Sequence, residues 1–137
     1  MFKPLLIVFL VSAAAAVQAS PPAELDAMRH ALTRAAAAHD REGMATHMAF
    51  PLALDNYGSP PSVTRGAFLG SARYFTVIFG GGDEELLKCI ASTPVTLQTD
   101  PKAFGGRTWL ADCNGNEYFF ALRGGGWRLV AYQNINE

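Results

Sequence analysis

The sequence predicts an α+β domain: a curved antiparallel sheet of about four to five strands, with about three to four N-terminal and central helices on its concave face. Three observations carry this. The C-terminal stretch 107–133, RTWLADCNGNEYFFALRGGGWRLVAYQ, alternates apolar and mixed positions at strand period and is punctuated by two turn signals. Upstream, apolar residues recur at three- and four-residue spacing, the period of helices. The order of these patterns, two amphipathic helices, a strand, a further helix and then an antiparallel meander, is that of an α+β domain.

Taken in order, Met1–Lys3 is a short basic start, Leu5–Val17 an apolar run, and Val17-Gln18-Ala19 a small-x-small end before Ser20. This reads as a secretory signal peptide, residues 1–19, cleaved after Ala19 and followed by a single domain over 20–137; the apolar run is too short for a membrane span. Ser20-Pro21-Pro22 opens a helix whose stripe is Leu25, Met28, Leu32, Ala35 and His39. Asp40 caps a short helix through Met44 and Met48, and Phe50–Leu54 is a strand whose Pro51 restricts it to an edge or a strand start. Tyr57–Val63 is a Gly- and Pro-containing loop of the kind that shapes the mouth of a pocket. Thr64 caps a helix over about 65–79 with Phe68, Ala72, Phe75 and Phe79 on one side, and Gly80–Gly82 ends it. Asp83 caps a further helix with Glu84 and Glu85 in its first turn, and Val95–Gln98 is a strand.

The C-terminal stretch folds as a three-stranded meander. Asn114-Gly115 and Gly124-Gly125 both tolerate the positive φ of two-residue hairpin turns. That registers Ala111 against Tyr118, Trp109 against Phe120, Phe120 against Leu129 and Leu122 against Trp127. Trp109, Ala111, Cys113, Tyr118, Phe120, Leu122, Trp127, Leu129 and Ala131 then share the inward face. The opposite, mixed face carries Leu110, Phe119, Arg123, Arg128, Val130 and Tyr132.

Composition narrows the function classes. Without Lys3 the mature chain has ten basic and twelve acidic residues, and no clustered Lys and Arg for nucleic acid or anionic lipid. In an exported chain Cys89 and Cys113 are expected to form a disulfide closing a loop of about 25 residues, two buried free thiols being the alternative. There is no C-x-x-C redox motif, and His30, His39 and His47 lack metal-ligand spacing, so no metal and no cofactor are expected. Neither glycine triplet is a phosphate cradle: Gly80–Gly82 follows a helix and Gly124–Gly126 is a turn.

The order of elements resembles the nuclear transport factor two-like superfamily, cystatin-like in fold. The matching residues are Asp40-x-x-Gly43, Phe50-Pro51-Leu52, Thr64-x-x-x-Phe68 and Gly126-Trp127-Arg128-Leu129-Val130. The resemblance implies a cone-shaped domain, here a small exported bacterial member, and a cavity at the wide end of the sheet. Enzymatic relatives such as ketosteroid isomerase place a general-base Asp late on the first strand and an oxyanion-binding Tyr in the first helix. Here those positions hold Asn56, with Asp55 beside it, and Leu32, so the pattern departs from an isomerase at both places.

These readings favour a periplasmic or secreted, non-enzymatic binding domain. Its expected cavity lining is His39, Tyr57, Trp109 and Tyr118, suited to a small apolar ligand. Its mixed sheet face, through Leu110, Phe119, Arg128 and Tyr132, would serve a homodimer or a periplasmic protein partner. Two alternatives stay open: an immunity or inhibitor protein that binds a toxin or enzyme, and a dehydratase or isomerase using a cavity His–Asp pair.

Overall fold

The computed structural model describes residues 4, 20–54, 62–99, 104 and 106–136. The expected leader, apart from Pro4, and the loop carrying Asp55, Asn56 and Tyr57 lie outside the described residues. Five helices are present among those described: α1 (Ala23–Ala37), α2 (Arg41–Ala45), α3 (Arg65–Gly70), α4 (Ala72–Phe79) and α5 (Glu84–Ser92). Six strands, β1 (Met48–Leu54), β2 (Ser62–Val63), β3 (Thr96–Gln98), β4 (Thr108–Cys113), β5 (Asn116–Arg123) and β6 (Gly126–Asn134), form one sheet in the order β2-β1-β6-β5-β4-β3.

The α+β class holds, but the sheet is mixed instead of antiparallel throughout. The first long strand and the last lie side by side and parallel, and β2 adds a two-residue edge against Leu52 and Ala53. Parallel neighbours need a long crossover between them, and here the crossover contains nearly all the intervening elements. Pro51 sits inside β1, not at its start. The β1–β6 pairing shifts between Met48 and Ala53, so the missing N–H falls where the ladder is already interrupted.

Side-chain caps start three of the helices as the sequence indicates. Asp40 accepts from the Gly43 N–H (2.9 Å), Thr64 from Ala67 (3.1 Å) and Asp83 from Leu86 (2.9 Å). The helix expected over 65–79 is broken in two at Ser71, whose backbone is extended (φ −142°, ψ 134°) and whose hydroxyl accepts from the Arg73 N–H. Gly70 weakens the preceding turn and Ser71 caps a new one, a local choice the apolar stripe alone does not reveal. The first helix also ends earlier than expected. His39 takes a left-handed φ of 54°, its N–H donates to the Ala36 carbonyl, and the Asp40 N–H donates to that of Ala35. This pair of bonds is a Schellman motif, so the inward position at this end of α1 belongs to Ala36, not to His39.

In the meander the four expected pairs are all present: Trp109–Phe120, Ala111–Tyr118, Phe120–Leu129 and Leu122–Trp127. One departure then reorganises the faces. Phe119 pairs with Ala131 while Phe120 pairs with Leu129, so Val130 is an extra residue in β6. Beyond that bulge the alternation inverts: Tyr132, not Ala131, enters the main core, and Val130 and Ala131 both join the opposite face. The exchange seats a large aromatic ring inside, where it buries more apolar area than a methyl group would. Leu122 is a second correction. It was expected inward but is 56% exposed at the β5–β6 end of the sheet, while Trp127 is half-buried against the core.

The interior is otherwise filled by Leu25, Leu32, Phe68, Phe79, Ile90, Trp109, Tyr118 and Phe120 among others. Cys89 and Cys113 lie at disulfide distance, Cα atoms 5.9 Å apart, tying α5 to β4. Near the far end of α5, buried Arg29 donates from Nε to the Ile90 carbonyl (2.8 Å) and from Nη2 to that of Thr93 (2.6 Å). A cation there meets the negative end of the helix and its unpaired carbonyls. Among the described residues no helix is long and apolar enough to cross a membrane.

Candidate functional site

The residues expected to line an internal cavity do not converge on one. Tyr118 is fully buried, its ring 5.2 Å from that of Tyr132 and 6.2 Å from that of Phe79, and its hydroxyl donates to the Ile78 carbonyl at 2.5 Å. Burial and the neighbouring Tyr132 push its pKa upward, so it stays a neutral phenol with its proton already committed. His39 is exposed at the end of α1, its ring edge-on to Phe75 at 5.2 Å. Trp109 is inward but borders a different space, a cleft of about 470 Å³ shared with Arg107, Leu122 and Trp127. Tyr57 lies outside the described residues. Leu32, where the resemblance would place a tyrosine, is a fully buried core residue.

The opposite face of the sheet is organised differently from the mixed surface the alternation implies. Phe119, Ala121, Val130 and Ala131 form a second apolar cluster, flanked by Ala49, Ala53, Leu110 and Phe104. Of the expected interface residues, Phe119 is already covered, its ring 4.6 Å from the tilted ring of Phe104, and Tyr132 is inside the main core. Both are corrections, the second caused by the Val130 bulge. Leu110 is half-buried beside the cluster, and Arg128 is partly exposed.

Arg128 borders a groove of about 670 Å³ on this face. Ala49, Phe50, Pro51 and Ala53 of β1, Val130 of β6 and Phe104 supply apolar walls, and Arg123, Gly124 and Arg128 supply the end nearest the β5–β6 turn. The bulge leaves Val130 on this face, as the alternation places it, and brings Ala131 to it as well. Among the described residues neither arginine has a carboxylate partner, the ion pairs there using Arg29, Arg65 and Lys88. Arg128 donates to the Trp127 carbonyl, and Arg123 to those of Leu122 and Phe104. Each guanidinium thus keeps most of its donors unengaged by protein. Arg123 and Arg128 were legible on the outward set of the strand alternation; the β1 residues and Phe104 carried no such signal, because they arrive from distant parts of the chain.

The charge of this region is felt at His47, where β1 begins. Partial burial and the nearby cations Arg128 and Arg34 hold its imidazole below the ordinary histidine range. A lowered pKa means the unfolded chain takes up a proton that the folded chain refuses. His47 therefore contributes stability above about pH 6.5 that is lost as the pH falls through its lowered folded value. Denaturant melts between pH 7.5 and 5 should show wild type losing more stability than His47→Gln; parallel losses would contradict this.

A second groove, about 590 Å³, runs beside the Cys89–Cys113 pair and carries Asp83, Glu85, Asp112, Asn114 and Asn116. No group of three or more His, Cys, Asp or Glu among the described residues is arranged to hold a metal ion. Comparison of the chain with family models, with curated proteins and with solved structures finds no match.

Proposed function

We propose that this chain is an exported, non-enzymatic binding domain of the nuclear transport factor two-like kind, working through the outer face of its sheet instead of an internal cavity. The observation that carries the proposal is the groove over β1 and β6, with apolar walls and two arginines that have no carboxylate partner among the described residues. Its volume falls within the roughly 300–1,000 Å³ range of small-molecule sites. Filling of the interior by Tyr118, Phe120 and Phe79 supports the choice of the outer face. Export is supported by the leader pattern of residues 1–19 and by the cysteine pair. The family reading is supported by the order of helices and strands, with the last strand beside the first.

Fluorescence titration of the mature protein with N-phenyl-1-naphthylamine, an uncharged apolar dye, tests this directly. Saturable enhancement is expected for wild type, with at least a tenfold loss for Ala53→Glu, which puts a carboxylate into the groove wall while leaving the melting transition cooperative. Equal binding by the two proteins, or no saturable binding, would contradict the proposal.

A further inference from the structure

We infer that the outer-face groove takes an amphipathic carboxylate, a small molecule whose hydrocarbon or aromatic part lies along the β1 wall and whose anionic head is held by Arg123 and Arg128. The inference rests on the groove being the binding site, as proposed above, and adds the class of molecule that enters it.

Chemistry is distributed unevenly around the groove. Ala49, Pro51, Ala53 and Val130 offer only apolar side chains, so a ligand portion lying there gains by leaving water, at about 25 cal/mol per Å² of apolar surface covered. The other end is cationic. Arg123 pairs with Gly126 and Arg128 with Ala121 across the β5–β6 hairpin, so both project from the sheet next to one turn. The hairpin backbone fixes where both side chains originate, and the carbonyl bonds from Arg123 to Phe104 and from Arg128 to Trp127 further limit their freedom.

Among the described residues neither guanidinium has a carboxylate in ion-pair contact, so an anion held near both is favoured by both charges. A guanidinium matches a carboxylate with parallel N–H donors, a geometry that a hydroxyl or an ammonium head cannot use. A cationic ligand would be repelled here, and a neutral one would leave the arginines unanswered. Small size is argued from the concave shape of the groove. A protein partner would need a broader contact, on the order of 800 Å² per side.

The test uses the mature, disulfide-bonded protein and three probes with the same tail: decanoate, decanol and decyltrimethylammonium, below their micellar concentrations. Each is titrated against the bound dye, and decanoate is also followed by isothermal calorimetry. Decanoate is expected to displace the dye at concentrations at least tenfold lower than decanol, with the cation weakest. Arg123→Gln/Arg128→Gln should reduce that tenfold preference to twofold or less. Equal potency of acid and alcohol, or a preference unchanged by the two substitutions, would overturn the assignment while leaving the apolar groove intact. Absence of saturable decanoate binding by calorimetry would also overturn it. Absence of dye binding together with absence of decanoate binding would remove the groove as a site altogether.

Discussion

Arg29→Ala is expected to be among the most destabilising single substitutions in this protein, at about 3–5 kcal/mol. The side chain is only 2% exposed, and its guanidinium spans the Ile90 and Thr93 carbonyls at the end of α5 while reaching Asp26 at 3.3 Å. Burial pulls its pKa down, and the Asp26 contact opposes that shift. Alanine would remove two charge-assisted hydrogen bonds, strand their carbonyl acceptors, and delete the packed methylene stem. Arg29→Lys should recover only part of the loss, because one ammonium cannot reproduce the fork that reaches both carbonyls. For a domain of this size the alanine variant should melt roughly 10–20 °C lower. A fall of less than about 3 °C would show that α5 is held mainly by other contacts.

The second large effect concerns the same helix through a different mechanism. Cys89 and Cys113 are 24 residues apart in sequence, so their bond restricts the unfolded chain. Cys89→Ser/Cys113→Ser is expected to cost about 3 kcal/mol on loop-closure grounds. Reductant should lower the wild-type midpoint to that of the double variant and leave the variant unaffected. Two titratable thiols in wild type purified from an oxidising compartment, with a midpoint indifferent to reductant, would contradict the account. The two experiments separate the terms: Arg29 acts on the folded state, whereas the disulfide acts largely on the ensemble it folds from.

How much of this was legible beforehand depended on whether the deciding interaction was local. The meander register was readable because Asn114-Gly115 and Gly124-Gly125 specify their turns through backbone sterics, and φ is positive at all four residues. Asp40, Thr64 and Asp83 were readable as caps for the same reason, each meeting an N–H three residues on. The bulge at Val130 was not. It depends on which of Ala131 and Tyr132 fills the space beside Tyr118, a question of volume across the sheet that alternation cannot answer. His39 fell off the helical stripe because α1 ends at Ala37, two residues sooner than its apolar pattern implies. The parallel β1–β6 pairing brings together residues some eighty positions apart, such as Leu54 and Tyr132. The groove inherits that difficulty: Ala53, Phe104, Arg123 and Val130 share no local pattern, although the outward placement of Arg123 and Arg128 was visible in the strand period.

These departures bear on function together. Turning Tyr132 inward helps fill the interior, and turning Ala131 outward adds it to the apolar cluster beside Val130 in the groove wall. Mapping amide chemical-shift changes in the mature protein as decanoate is added addresses this most directly. The account predicts that the perturbed amides cluster at Ala49, Ala53, Arg123, Arg128 and Val130. Perturbations centred instead on Leu32, Phe79 and Tyr118 would mean that the ligand enters between the helices and the sheet, and the outer-face account would be wrong.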